Sequence, residues 1–181
     1  MIALIRFLER ITGGAGMLAA WVVVPLIFAT AFEVFSRYLF NAPTIWSFEL
    51  GYMAMGTHFL LGAAYTLREG GHIRIDIFYN AFSARTKAWV DALGFLMLML
   101  PASWWLSYAL WNYAAAAYLS GEGSGQSAWN PVIWPFRMVF FSGFLLFALQ
   151  GTVQLLKALA ALLGRDIEAE ALDAETGRGP A

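Results

Sequence analysis

The chain has 181 residues, 60% hydrophobic and 13% charged, with a formal net charge of −1 and a mean hydropathy of +0.63. Soluble domains carry about 45–50% apolar and about 25% charged residues, and a globule of this length has too little interior to hide the excess, so an ordinary soluble enzyme is excluded. Nucleic acid, which calls for a basic face, is excluded by the charge, and the absence of cysteine removes disulfides, thiolate metal sites and cysteine nucleophiles.

Four apolar stretches predict an all-α integral membrane protein with four transmembrane helices, over about residues 11–35, 48–68, 88–118 and 136–160. At 1.5 Å per residue each reaches about 27 Å or more, enough for a hydrocarbon layer of roughly 30 Å. Pro25 and Pro101 fall inside the first and third stretches, where neighbouring helices can satisfy the freed carbonyls. The first stretch is expected to be a retained helix. Its apolar run exceeds that of a signal peptide, and no small-x-small cleavage site precedes the following F-S-R-Y segment. Residues 1–163 thus form a four-helix membrane domain, and residues 164–181 an acidic tail with too little apolar content to fold.

Lys and Arg set the direction. With four spans, one side holds Arg6, Arg10, Arg68, Arg74, Arg85, Lys87, Lys157, Arg165 and Arg178, and the other only Arg37 and Arg137. The positive-inside rule then puts both termini in the cytoplasm.

In chain order, Glu33 and Arg37 stand four apart at the outer end of the first span, the favourable order for an ion pair. The short first outer connection carries Asn41, Pro43 and Thr44 as turn and helix-start residues. Glu49 follows at the start of the second span, where a helix N-terminus favours a carboxylate. His58 lies about 13 Å deeper, on one face with Gly51, Ala54 and Gly62 by helical spacing. Small residues allow a close helix approach, and a neutral histidine can hydrogen-bond across it. An interhelical packing role is therefore favoured for His58 over a proton relay or haem ligand. Paired haem ligation needs a second histidine at similar depth, and His72 belongs to the cytoplasmic connection.

That connection opens with Gly70-Gly71 and alternates as H-I-R-I-D-I, which suits extended or interfacial chain. Ser83 is the predicted N-cap of the third helix, Arg85 and Lys87 sit on its first turn, and Asp91 can pair with Lys87. Ser103, Ser107 and Asn112 add mild polarity to the third span. The second outer connection is rich in Gly and Ser, with Trp129 and Trp134 suited to the interface. Gln150 and Gln154, four apart, suit interhelical hydrogen bonding in the fourth span. No phosphate loop, zinc motif or triad occurs, nor the broken helices and inverted repeats of a self-sufficient carrier. By elimination the chain is a partner subunit.

The stretches F-S-R-Y-L-F-N-A-P-T-I-W-S-F-E-L and F-L-L-G-A-A-Y-T-L-R-E-G-G-H-I-R-I-D closely resemble the small permease (Q-type, DctQ-like) subunit of tripartite ATP-independent periplasmic transporters. The matching residues are Arg37, Tyr38, Asn41, Trp46, Glu49, Gly62-Ala63-Ala64, Arg68, His72 and Asp76. Phe48 departs from the polar residue that the resemblance implies beside Glu49. The resemblance implies a large multi-span M-type permease subunit as partner, which holds the substrate and sodium sites, and a periplasmic binding protein that delivers an organic acid. It implies no cofactor for this chain, which acts as a scaffold. Glu33, Arg37 and Glu49 are then expected to join in one network at the periplasmic face. Arg68, His72, Arg74 and Asp76 are expected to fix the cytoplasmic turn, the basic ones meeting anionic membrane lipid. The other readings are a haem- or quinone-linked membrane anchor and a small proton-coupled exporter using Glu33 or His58.

Overall fold

A computed structural model describes residues 2–71, 79 and 82–165. Helix α1 runs over Ile2–Phe40, α2 over Ser47–Arg68, α3 over Ala84–Gly94, α4 over Leu100–Ser120 and α5 over Trp134–Leu162. A π-helical segment, Phe95–Met99, joins α3 to α4, so that Ala84–Ser120 is one rod of 37 residues. Among the described residues there is no strand, only an isolated bridge between Gly123 and Val132.

Local chemistry sets the helix ends. Asn41 takes a left-handed φ of 50° and closes α1, a conformation asparagine tolerates better than most residues. Thr44 does not start α2, which begins at Ser47 after Trp46 without a side-chain cap. Ser83 caps α3 as its side chain accepts from the Thr86 N–H at 3.3 Å. Gly121, at φ +63°, ends α4 in a left-handed turn that a side chain would strain. The π segment lies just before Pro101, where the missing N–H already breaks the regular ladder.

The helices run alternately up and down. His58 of α2 meets Ala19 of α1, Leu60 of α2 meets Gly143 of α5, and Trp111 of α4 meets Phe141 of α5. The packing order is α1, α2, α5, then the α3–α4 rod, and the first half of α1 also touches the last half of α5. Both ends of the described chain therefore share one end of the bundle, here called the terminal end. The connections 41–46 and 121–133 share the other, the loop end.

The bundle is small inside and large outside. Of the fifteen buried hydrophobic residues described, ten are alanine, while Trp21, Phe28, Phe59, Met97, Leu98 and Trp105 are among many large ones left exposed. This suits lipid, where close backbone approach holds helices together and no water drives big side chains inward. α1, the α3–α4 rod and α5 are each long and apolar enough to cross a membrane. α2 is less apolar because it carries Glu49, three glycines, Thr57, His58 and Thr66 between two neighbours.

Candidate functional site at the loop end

Three carboxylates organise the loop end. Glu33, near the end of α1, accepts from Arg37 Nε at 2.9 Å and from the Thr44 N–H at 2.9 Å, and also from the Thr44 hydroxyl. A helix end and the connection leaving it are thus tied by one side chain. Next to it, the Ser47 hydroxyl donates to the Ala29 carbonyl at 2.9 Å, fixing the start of α2 on α1. Trp46 stacks on Phe32 with ring centroids 5.9 Å apart.

Glu49 is fully buried in the first turn of α2 and accepts from the Ser127 hydroxyl, with Ser124 and the Asn130 backbone nearby. Its second oxygen is buried without a hydrogen-bond partner. The 121–133 connection that meets it is a folded hairpin. The Ser124 N–H donates to the Pro131 carbonyl at 2.9 Å, and the Ile133 N–H to the Glu122 carbonyl at 3.0 Å. Asn130, at φ 43°, accepts from the Gly125 N–H at 2.8 Å across the tip.

The third carboxylate, Glu122, receives both terminal nitrogens of Arg137 at 2.7 and 2.6 Å. Arg137 is 8% exposed and lies over the Tyr113 ring at 3.7 Å from its centroid. Bidentate geometry and an aromatic face are what a guanidinium needs when it leaves water. This pair closes the hairpin onto α4 and α5.

Two clefts open beside these groups. One of about 640 Å³, lined by Tyr52, Tyr113, Glu122, Arg137 and Phe140, lies between α2, α4 and α5. Another of about 420 Å³ lies between α1 and α2, lined by Leu26, Glu33, Arg37, Thr44 and Met55. Phe48, the aromatic in place of an expected polar residue, lines both.

The expected network of Glu33, Arg37 and Glu49 is thus divided. Glu33 and Arg37 pair, while Glu49 holds the other connection. Tyr38 and Asn41 lie exposed at the end of α1. Within the helices, His58 Nδ1 donates to the Ala19 carbonyl at 2.9 Å, since a carbonyl only accepts. Ala54 is half-buried, Gly51 meets only Leu26, and nothing approaches Gly62. Close approaches to α2 fall instead at Gly56, against Phe136, at Gly16 of α1, against Tyr65, and at Gly143 of α5, against Leu60.

Gln150 is fully buried and accepts from the Thr12 hydroxyl at 3.0 Å, and Gln154 donates to the Leu67 carbonyl at 3.2 Å. At the terminal end, Arg68 donates to the Glu9 carbonyl at 3.3 Å, and Lys157 pairs with the Glu9 carboxylate at 2.9 Å. His72, Arg74 and Asp76 lie outside the described residues, as does the tail from residue 166 onward. Glu122, Ser127, Thr12 and Glu9 are tying residues that sequence reasoning missed, and Thr44, expected to start a helix, ties to Glu33 instead. Only the Gly- and Ser-rich composition around Ser127 hinted at a structured turn.

A helical bundle whose small residues lie inside and whose large apolar ones face outward, with polar side chains tying helix ends, defines an integral membrane protein. The chain matches the family described as "Tripartite ATP-independent periplasmic transporters, DctQ component" over residues 26–161. That is three quarters of its length, and the chain belongs to this family: it is a small permease subunit of such a transporter, a transporter component. No curated protein matches it.

Proposed function

We propose that the chain is the accessory, scaffold subunit of a sodium-coupled secondary transporter that imports organic acids, carboxylates above all, delivered by a periplasmic binding protein. It supports the large M-type permease subunit, which holds the substrate and sodium sites, and it needs no cofactor of its own. In this reading the chain lies in the bacterial inner membrane with four spans and both termini in the cytoplasm. The loop end then faces the periplasm, and the basic terminal end faces anionic lipid headgroups.

Family membership supports the transporter, and the nine-to-two division of basic residues supports the direction. α2, at 22 residues or about 33 Å, has the length of a span. Flanking helices explain its lower hydropathy. The observation that carries the scaffold role is the use of the polar side chains. Glu33, Glu49, Arg137, Gln150 and Gln154 each tie one helix or connection to another part of the chain. A support that must stay still while a neighbour moves needs such ties.

The natural absence of cysteine makes the topology easy to test with single-cysteine variants. Gln126→Cys should react with an impermeant thiol reagent from the periplasm, and Glu69→Cys only after the membrane is opened. Labelling of Glu69→Cys from outside would refute the four-span arrangement. For transport, all three components in liposomes under an imposed sodium gradient should take up a carboxylate from a panel of organic acids. Uptake that persists at full rate when this subunit is omitted would refute the supporting role.

A further inference from the structure

We propose that the cleft between α2, α4 and α5 seats the head of one phospholipid bearing a primary ammonium group, of the phosphatidylethanolamine type. The inference goes beyond the subunit role and requires only that the chain lies in a membrane.

The cleft holds about 640 Å³, the size of a small-ligand site, and its groups are ordered along the bundle axis. At the rim Glu122, with its side chain 48% exposed, takes both terminal nitrogens of Arg137. The two charges cancel, and each carboxylate oxygen keeps a further acceptor position. Tyr113 lies under the Arg137 guanidinium and Tyr52 packs edge-on against Phe136, so both line the cleft at this level. Neither hydroxyl makes a hydrogen bond among the described residues. About one turn further from the loop end, Leu110 and Phe140 add a purely apolar lining.

Depth selects the ligand. The Tyr118 and Trp134 rings meet edge-on at 5.3 Å at this end of α4 and α5, and such side chains mark the level of lipid headgroups. From the rim inward the cleft presents an acceptor, then donors, then hydrocarbon. A phosphatidylethanolamine offers the complement in the same order. Its ammonium suits Glu122, its phosphate and ester oxygens suit the two phenols, and its acyl chain suits Leu110 and Phe140. An anionic head would bring negative charge to a carboxylate whose arginine is already neutralised. A quaternary ammonium has no N–H to donate to that carboxylate, and so forgoes the charge-assisted hydrogen bond.

The neighbouring cleft between α1 and α2 shares Tyr52 but not the rest of this set. Its Arg37 is likewise paired with Glu33, while the hydroxyls of Thr30, Thr44 and Ser47 are already donated within the chain. A protein helix is the poorer occupant of the larger cleft. At 10–12 Å across, it would fill that volume with about one turn. Ser124 and Gln126 of the hairpin bound the cleft at the loop end, where such a helix would have to continue.

The test uses the full chain, purified in detergent and again within the assembled transporter. Native mass spectrometry with equal amounts of phosphatidylethanolamine, phosphatidylcholine and phosphatidylglycerol should show one phosphatidylethanolamine retained, about tenfold above either competitor. The combined variant Tyr52→Phe and Tyr113→Phe keeps both rings and removes two donors. Its retention of phosphatidylethanolamine should fall about tenfold, while its thermal midpoint in lipid-free detergent stays unchanged. If that variant does not fold, Leu110→Trp, which fills the apolar part of the cleft, should give the same loss. Equal retention of the three lipids, phosphatidylglycerol above phosphatidylethanolamine, or undiminished retention in the variants would overturn the proposal. In the assembled transporter, Leu110→benzoylphenylalanine should crosslink to lipid on photolysis. A crosslink to the permease or to a second copy instead would overturn the lipid seat and leave the subunit role standing.

Discussion

At the terminal end α1 meets α5 through Ile5, Val153 and Ala160, and α3 meets α5 through Ala92, Leu155 and Ala158. At the loop end the same bundle is joined by Glu33, Glu49 and the Glu122–Arg137 pair. Apolar contacts between helices compete poorly with lipid, whose chains are as apolar as leucine, so the terminal end relies on shape together with a few polar ties, the Lys157–Glu9 pair and the Arg68 bond to the Glu9 carbonyl. Hydrogen bonds are directional, and buried ones are costly to leave unmade. The loop end is therefore fixed in orientation as well as in proximity. What differs is the connections. The loop end must hold the 41–46 turn and the 121–133 hairpin in place, and polar ties between distant residues do that.

The largest test of this contrast is Glu122→Ala. It leaves Arg137, 8% exposed, as an unpaired charge beside a ring. Breaking a buried pair in this way costs about 3–5 kcal/mol, somewhat less here because the Glu122 side chain is 48% exposed. The thermal midpoint in detergent should fall steeply. Arg137→Met should fall less, since the half-exposed carboxylate left behind can reach water. An equal or opposite ranking would break the idea that the arginine is the buried partner.

Gly143→Val comes next. A Cβ at this site would lie 2.9 Å from the Leu60 carbonyl oxygen, so α2 and α5 must separate, at about 1–3 kcal/mol. Gly62→Ala, with open space around it, should be neutral or slightly stabilising by helix propensity. Comparable losses at the two glycines would mean that helix spacing is not set at Gly143.

The smallest effect is expected at the terminal end. Lys157→Ala removes an ion pair to Glu9 but leaves the apolar cluster of Ile5, Val153 and Ala160 intact. Read from the same melting curves, a loss smaller than that of Glu122→Ala is expected, because the carboxylate left behind is 21% exposed and can reach water. A loss as large as that of Glu122→Ala would erase the distinction between the two ends.

Much of the architecture was legible from residues close in sequence. The i, i+4 spacing foretold the Glu33–Arg37 pair, Ser83 its helix start, and the depth of His58 its bond across a helix contact. The ties that fold the loop end were not. Ser127 lies 78 positions from Glu49, and no local pattern links them. Helical spacing put Gly51, Ala54 and Gly62 on one face, but α2 uses Gly56 for its close approach. Where a helix is apolar nearly all round, periodicity reveals which residues share a face and not which face meets protein. The stretch holding His72, Arg74 and Asp76 lies outside the described residues.

The central claim is that this bundle supports a moving partner and passes nothing itself. The direct measurement is uptake of a labelled carboxylate into sealed liposomes bearing imposed sodium and proton gradients. With the purified chain alone, counts should match empty liposomes, and they should rise only when the large permease and binding protein are present. Gradient-driven accumulation by the chain alone would contradict the account.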